Sequence, residues 1–392
     1  MLEYEFTPSQ YEASLVLNDF CKSKISDDQN KNEIILTGSP GYGKSFLIDR
    51  LKEENPDIII TATTNKAANL IEGCTIYSLL GLTLKDDYKT GLTKIDYRKA
   101  NYISDEIIVI DECSMINYEL FIAIHEYAKH CKIIYVGDYY QLPPVNGGDF
   151  SIFSIGLRML ELKEPCRTDK KDIISLMDKL KDSIVNNKVY STFPASENIK
   201  YITNQKDLEE HLKTFKPNKD KCLSYTNENV ISQNFLIRSL NNKGKNFDVN
   251  DYIVCKSAVP TNKSYEELSK IENVLNIVSI IKTYNNGLSL IKTSDGGKFM
   301  VYLTPFSYSN KIKSLAEEAK ARNNWKEYFN FKNSVLDIRD IYASTVHSAQ
   351  GSTYRNVYID LNDLMKCRGK ILQRLLYVAV SRAKENVYFI TV

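Results

Sequence analysis

Eight residues, Gly38-Ser39-Pro40-Gly41-Tyr42-Gly43-Lys44-Ser45, have the types and spacing to hold a chain of phosphates. The glycines let the backbone curl so that successive N–H groups, with those of Ser39 and Tyr42 among them, face phosphate oxygens. Lys44 can reach the β- and γ-phosphates, and the Ser45 hydroxyl can ligate Mg²⁺. A second string, Glu106-Ile107-Ile108-Val109-Ile110-Asp111-Glu112, is an apolar run ending in two acids. Asp111 would hold the Mg²⁺ shell and Glu112 would polarise an attacking water as general base. Alone, an Asp-Glu pair after a strand is a common solvated edge. Downstream of a phosphate loop it reads as the other half of a nucleotide hydrolase.

Four further strings bear on what such a hydrolase would drive, each weak when taken singly. Thr61-Ala62-Thr63-Thr64-Asn65-Lys66-Ala67-Ala68 offers hydroxyl, amide and ammonium groups suited to a phosphodiester backbone. Gly137-Asp138-Tyr139-Tyr140-Gln141-Leu142-Pro143-Pro144-Val145 ends a strand with Gln141, able to sense a γ-phosphate. Ala343–Ser352 (ASTVHSAQGS) and Leu376–Lys384 (LYVAVSRAK) follow near the C-terminus.

The elements that must position these groups are short and apolar. Runs at Glu33–Thr37, Asp57–Thr61, Glu106–Ile110 and Lys132–Val136 alternate with helix-like stretches such as Ser45–Glu54 and Ala67–Glu72. Buried strands alternating with helices predict a parallel sheet covered on both faces. The rhythm returns at Lys221–Tyr225, Asn356–Asp360 and Asn386–Thr391, which predicts a second α/β half. Leu82–Ser104, with a Thr-Gly turn, reads as an inserted β-hairpin. Phe247–Asp340 alternates like small antiparallel β structure and carries a polar helix at about 309–331.

Bulk properties set bounds. With 392 residues the chain exceeds one ordinary core. Lys+Arg 51 against Asp+Glu 49 leaves a net charge of +2, so a polyanion partner must be met by local clusters of basic groups. Eight cysteines and four histidines share no metal-ligand spacing, and the scattered thiols read as reduced core residues of a cytosolic protein. The start, MLEYEFTPSQ, lacks the basic and apolar regions of an export signal, and no apolar run is long enough to span a membrane. A cytoplasmic location is expected, that of the host if the chain is phage-encoded.

The order and content of these strings resemble superfamily 1 helicases, specifically the 5′-to-3′ RecD/Dda-like branch. The resemblance runs from Phe6-Thr7-Pro8-Ser9-Gln10 to the Arg382 segment and is thinnest at about 245–310. It implies two RecA-like P-loop NTPase cores with parallel sheets, a small inserted β-hairpin and a small SH3-like β insertion domain. The first core would span 1–165, with the hairpin at about 82–104. The second would combine 166–245 and 337–392, and the β insertion would span 246–336. Gln10 would read adenine, Gly351 would lie near the nucleotide, and Arg167 and Arg382 would act as arginine fingers. Thr64, Asn65, Thr345 and His347 would line a single strand, with Tyr77 as a stacking candidate where relatives carry histidine. Trp325 would anchor its helix, and the hairpin would act as a duplex-splitting pin.

The implied activity is ATP- and Mg²⁺-dependent, 5′-to-3′ unwinding of single-stranded and forked DNA by a monomer, alongside replication or recombination proteins. An RNA helicase, a non-enzymatic recombination mediator with a P-loop, and a motor subunit of a nuclease complex are the alternatives.

Overall fold

The computed structural model describes residues 6–144, 150–166, 168–190, 192–217, 219–257, 259–261, 264–268 and 274–392. The first strands are β1 (Glu33–Gly38), β2 (Ile59–Ala62) and β3 (Cys74–Thr75). A hairpin follows, β4 (Thr83–Asp86) and β5 (Thr93–Asp96), then β6 (Ile107–Asp111), β7 (Lys132–Gly137) and β8 (Arg158–Leu162). All but the hairpin strands join one parallel sheet of order β3-β2-β6-β7-β1-β8. Successive residues of its central strands are buried on opposite faces. Ile34, Leu36, Val109, Ile134 and Val136 pack with Leu17, Leu47 and Leu51 of two helices. Ile35, Ile108, Ile110, Ile133 and Tyr135 pack with Ile76, Leu120 and Ile124 on the other side. Each fully buried Ile or Leu contributes about 1.5–3 kcal/mol, which is why these runs carry almost no polar residue.

Strands β9 (Ile199–Ile202) and β10 (Asp220–Ser224) begin a second sheet. The chain then leaves it for β11 (Tyr252–Cys255), the short pair β12 (Pro260–Thr261) and β13 (Ser264–Leu268), and β14 (Val274–Thr283). β15 (Leu288–Thr293), β16 (Lys298–Tyr302) and β17 (Ile338–Asp340) complete the excursion. Five of these make an antiparallel sheet, β16-β15-β14-β11-β17, around Ile253, Leu275, Ile277, Ile291 and Phe299. The polar segment expected as one helix is two, Pro305–Arg322 and Lys326–Lys332, because Asn323 takes a left-handed φ of 48° and ends the first. The chain returns for β18 (Ala343–Thr345), β19 (Tyr354–Asp360) and β20 (Ala383–Ile390), closing a parallel sheet of order β18-β10-β19-β20-β9. Two parallel α/β units, the second interrupted by an antiparallel module, match the expected fold class.

Arg238, on the helix Asn227–Leu240, ties the second sheet to the module. Fully buried, it donates to Asp340 at 3.0 Å and Asp251 at 2.5 Å, and to the carbonyl of Gly244 at 2.5 Å. The hairpin tip is tied to the module as well. Its turn is organised by Asp87, whose carboxylate accepts from the N–H groups of Lys89 and Thr90. The Trp325 N–H donates to the Tyr88 carbonyl at 2.9 Å, Tyr88 lies 5.6 Å from Phe329, and Asn333 donates to Asp86. The Trp325 ring lies directly on Gly91.

Candidate nucleotide site and nucleic-acid cleft

The phosphate loop leaves the carboxyl end of β1 and enters the helix Lys44–Glu54. Gly41 and Gly43 have φ of 84° and 81°, the left-handed region that favours glycine, and a side chain at 43 would also press on the Gln10 amide. The Lys44 ammonium donates to the carbonyls of Gly38 at 2.6 Å and Ser39 at 3.2 Å, which holds it over the loop.

β6 delivers the two acids at the same edge of the sheet. Asp111 is half-buried at the edge of the cleft, and its carboxylate accepts from the Glu112 N–H at 2.8 Å. Burial and then the neighbouring Glu112 charge raise the Asp111 pKa, while Lys44 opposes them. Glu112 adopts φ 54°, an uncommon conformation for a side chain of its size, and Thr63 donates to its carbonyl at 2.9 Å. Its carboxylate faces the second unit: a Cβ placed on Gly351 would stand 3.6 Å from Glu112 Oε1.

One cleft of about 580 Å³ gathers these groups. Gly41, Gly43, Lys44, Ser45, Asp111, Glu112 and Gln141 come from the first unit, and Gly351, Thr353, Arg382 and Lys384 from the second. The second unit reaches it with the segments leading into β19 and β20. Arg382 is 1% exposed, and its guanidinium donates to the carbonyls of Val378 and Ser352 and to the Ser381 hydroxyl. Burial lowers its pKa, and Glu112 is the foremost charge acting the other way. Gln141 is bridged to the second unit by Gln350, which donates to it at 3.1 Å.

Other expected nucleotide contacts stand one layer back. Gln10 caps its own helix, accepting from the Thr7 N–H, and its amide donates to the Tyr42 carbonyl at 3.1 Å. It braces the loop and does not line the cleft. Tyr42 is buried with its hydroxyl toward Lys181, and Gly38 and Ser39 form the base of the loop. Arg167 lies outside the described residues, as does Val145. Ser45 and Asp111 both line the cleft, and a hydroxyl beside a carboxylate under a phosphate loop is a fitting oxygen donor set for Mg²⁺.

A smaller cleft of about 240 Å³ opens next door. Thr64 and His347 line it from the two units, with Lys66, Met115, Ser348 and Gln350. His347 is half-buried, and burial lowers its pKa, keeping the ring neutral at physiological pH. Thr345 lines an adjoining cavity with Lys66, Lys256 and Arg339. Lys66 donates to the Ser348 carbonyl and Lys256 to its hydroxyl, so both lysines converge on the turn that carries Thr345 and His347. Asn65 is exposed at the start of the neighbouring helix and lines neither space. Tyr77 is packed against the apolar cluster beneath the hairpin, away from both. Lys256, which bonds the Ser348 hydroxyl, and Cys166, which lines the nucleotide cleft, carry no local signal in the sequence.

A phosphate loop, two acids, a sensor glutamine and an arginine delivered from a second parallel sheet define a two-core P-loop nucleoside triphosphatase of the helicase type. An AAA domain model matches residues 22–147, and a UvrD-like helicase C-terminal domain model matches 340–390. The chain therefore belongs to the superfamily 1 helicases of the Pif1/Dda/RecD-like family. It is 22% identical to the ATP-dependent DNA helicase dda of Enterobacteria phage T4, over 92% of this chain and 95% of that one. It is 26% identical to the ATP-dependent DNA helicase Pif1 of Campylobacter jejuni, over 90% and 87%. Among solved structures, a Bacteroides Pif1 helicase in complex with ADP-AlF3 and single-stranded DNA superposes with a TM-score of 0.58 at 17% identity. That match covers 99% of this chain and 92% of the other, and it bears on the fold.

Proposed function

We propose that this protein is an ATP-driven DNA helicase that moves 5′ to 3′ along single-stranded DNA and separates forked duplex. The observation that carries the reading is the shared cleft, where Lys44, Asp111 and Glu112 of one unit face Gly351 and Arg382 of the other. A triphosphate held there joins the two units through charge-assisted bonds, and its hydrolysis removes them. Lys44 and the loop N–H groups bind the phosphates, and Glu112 orients and deprotonates the attacking water. Arg382 stabilises charge on the transferring phosphoryl group. Ser45 and Asp111 would hold Mg²⁺, which supplies charge neutralisation between the phosphates when bound.

Gln141 lies between hydrolysis and movement. It lines the nucleotide cleft and accepts from Gln350, which sits on the same turn as His347. Thr64, Lys66, Thr345 and His347 are placed to track a phosphodiester backbone, so binding is sequence-independent and weakens with salt. The named relatives act on DNA by their descriptions, which favours DNA as the track.

ATP hydrolysis is measured with no nucleic acid, with single-stranded DNA and with RNA of matched length, then strand separation on 5′- and 3′-tailed duplexes. Stimulation by DNA and unwinding from a 5′ tail alone are expected, both lost in Lys44→Ala while DNA binding persists. Unwinding only from a 3′ tail refutes the polarity, and stimulation by RNA alone refutes the track.

A further inference from the structure

The helix that ends at the arginine finger also grips the sensor glutamine's loop. Arg374 and Tyr377 lie on the helix Lys370–Val380, three residues apart and so on one face, and Arg382 follows two residues after its end. The Arg374 guanidinium donates through Nη1 to the carbonyls of Tyr139 and of Gln141, both at 2.6 Å, and sits 5.5 Å from the Tyr139 ring centre. One turn on, the Tyr377 hydroxyl donates to Asp138 Oδ2 at 2.9 Å, with both residues buried. The other Asp138 oxygen accepts from the Tyr140 N–H at 3.0 Å, and the Gln141 N–H donates to the Asp138 carbonyl at 3.1 Å. Most bonds that shape the turn Asp138–Gln141 therefore end on the second unit's helix or on a group that it holds, while the 3.4 Å bond from the Tyr139 N–H to the Thr37 hydroxyl stays within the first unit.

The helix has little freedom of its own. Leu372, Leu375, Leu376, Val378 and Val380 are buried in the second unit's core, and Gln373 is tied to Ser183 and to the Tyr190 carbonyl. Movement of the second unit thus carries Arg374, Tyr377 and Arg382 together.

We infer that Arg374 and Tyr377 are positioning residues that set the Gln141 carboxamide when the two units close, so that sensor and arginine finger reach the nucleotide as one assembly. The inference rests on the proposed nucleotide site but does not require that DNA be the track. It makes Gln141 the element through which Arg374 acts. Arg374 lines neither the nucleotide cleft nor the cleft shared by Thr64 and His347, whereas Gln141 lines the first.

The test is a double-mutant cycle on ATP turnover, run without nucleic acid and with saturating single-stranded DNA. Arg374→Ala is expected to lower kcat by about 10- to 100-fold, less than removal of a group that itself contacts the transition state. KM for ATP should stay within about threefold, because the phosphate loop is untouched. In a Gln141→Ala background the same change should cost no more than about twofold, since the side chain it positions is gone. Arg374→Lys keeps a cationic donor and should recover part of the loss. Tyr377→Phe, which removes one hydroxyl from a buried ring, should lower kcat in the same Gln141-dependent way and serves as the cycle if Arg374→Ala does not fold. Equal losses in both backgrounds, or a raised KM with unchanged kcat, overturn the inference. If wild-type turnover proceeds without DNA but is not stimulated by it, the helicase reading fails while the cycle on unstimulated turnover still decides this one. No wild-type turnover at all removes both.

Discussion

Gly91→Ala isolates the docking of the hairpin tip from the chemistry of the nucleotide site. Gly91 has φ 73°, and a Cβ there would meet three atoms of the Trp325 ring at 2.5, 2.7 and 2.8 Å. The left-handed backbone alone costs an alanine about 1–2 kcal/mol. The ring must also leave the tip. If roughly 100 Å² of its surface returns to water at about 25 cal/mol per Å², another ~2.5 kcal/mol is lost. The sum, about 3.5–4.5 kcal/mol, is set against few remaining contacts: the Trp325–Tyr88 backbone bond, the Tyr88–Phe329 pair and the Asn333–Asp86 bond. At about 1.4 kcal/mol per tenfold, the docked population falls by ~100-fold or more relative to the undocked one. Trp325 is the only tryptophan in the chain, so its emission reports this site alone. We expect a red-shifted emission, a loss of forked-duplex unwinding of about tenfold or more, and DNA-stimulated ATP turnover within about twofold of the parent. Unchanged emission would refute the steric reasoning. Altered emission with full unwinding would refute the assignment of strand separation to a docked hairpin.

Three other outcomes can be measured directly. Glu112→Gln keeps the shape of the general base and removes its charge, so nucleotide binding should persist while turnover falls by about 10²-fold or more, as read by single-turnover hydrolysis. Arg238→Ala leaves Asp340 and Asp251 buried against an emptied site and should cost about 3–5 kcal/mol in denaturant unfolding; a loss below about 1 kcal/mol would contradict the buried ion pair. His125 bonds Glu33 at 2.7 Å. Burial lowers its pKa, but the Glu33 bond and charge outweigh this and raise it above 6.5. The folded chain therefore holds that proton more tightly than the unfolded one. The stabilisation is full below the ordinary imidazole pKa and is lost as pH rises through the folded value. The wild-type advantage in melting temperature over His125→Phe should shrink between about pH 6 and about pH 8, and growth across that range would reverse the assignment.

Legibility in the sequence followed the range of the interaction. The phosphate loop and the Asp111-Glu112 pair are local: a strand end, two left-handed glycines and a helix start fix where their groups point, and the string of residues carries all of it. The strands expected at 33, 57, 106 and 132 fall within a residue or two of their observed starts, because burial on both faces leaves unbroken apolar runs. β8 and β9 are not legible in the sequence, for the complementary reason. Arg158-Met159-Leu160-Glu161-Leu162 at a sheet edge and Ile199-Lys200-Tyr201-Ile202 at another carry polar residues, so no apolar run announces them. For Gln10 and Tyr77 the surroundings of the side chain depend on more than its place in the string. A glutamine that braces the loop from behind and a tyrosine packed under the hairpin occupy the expected places in the string, but their side chains are directed by neighbours distant in sequence.

Arg382 is legible in the sequence and Arg374 is not, for the same physical reason. An arginine at the end of an apolar helix is conspicuous in a string, since burial of its charge demands a partner. Arg374 is half-exposed on the helix, with nothing nearby in sequence to mark it. Its partners are two carbonyls more than 230 positions away, and backbone carbonyls leave no trace in the identity of the residues that bear them. A residue that acts by holding backbone is thus invisible to motif reading even when it lies beside a motif. The loops that couple the two units, bonded through main-chain oxygens at Tyr139, Gln141 and Ser348, are where further such residues are to be sought.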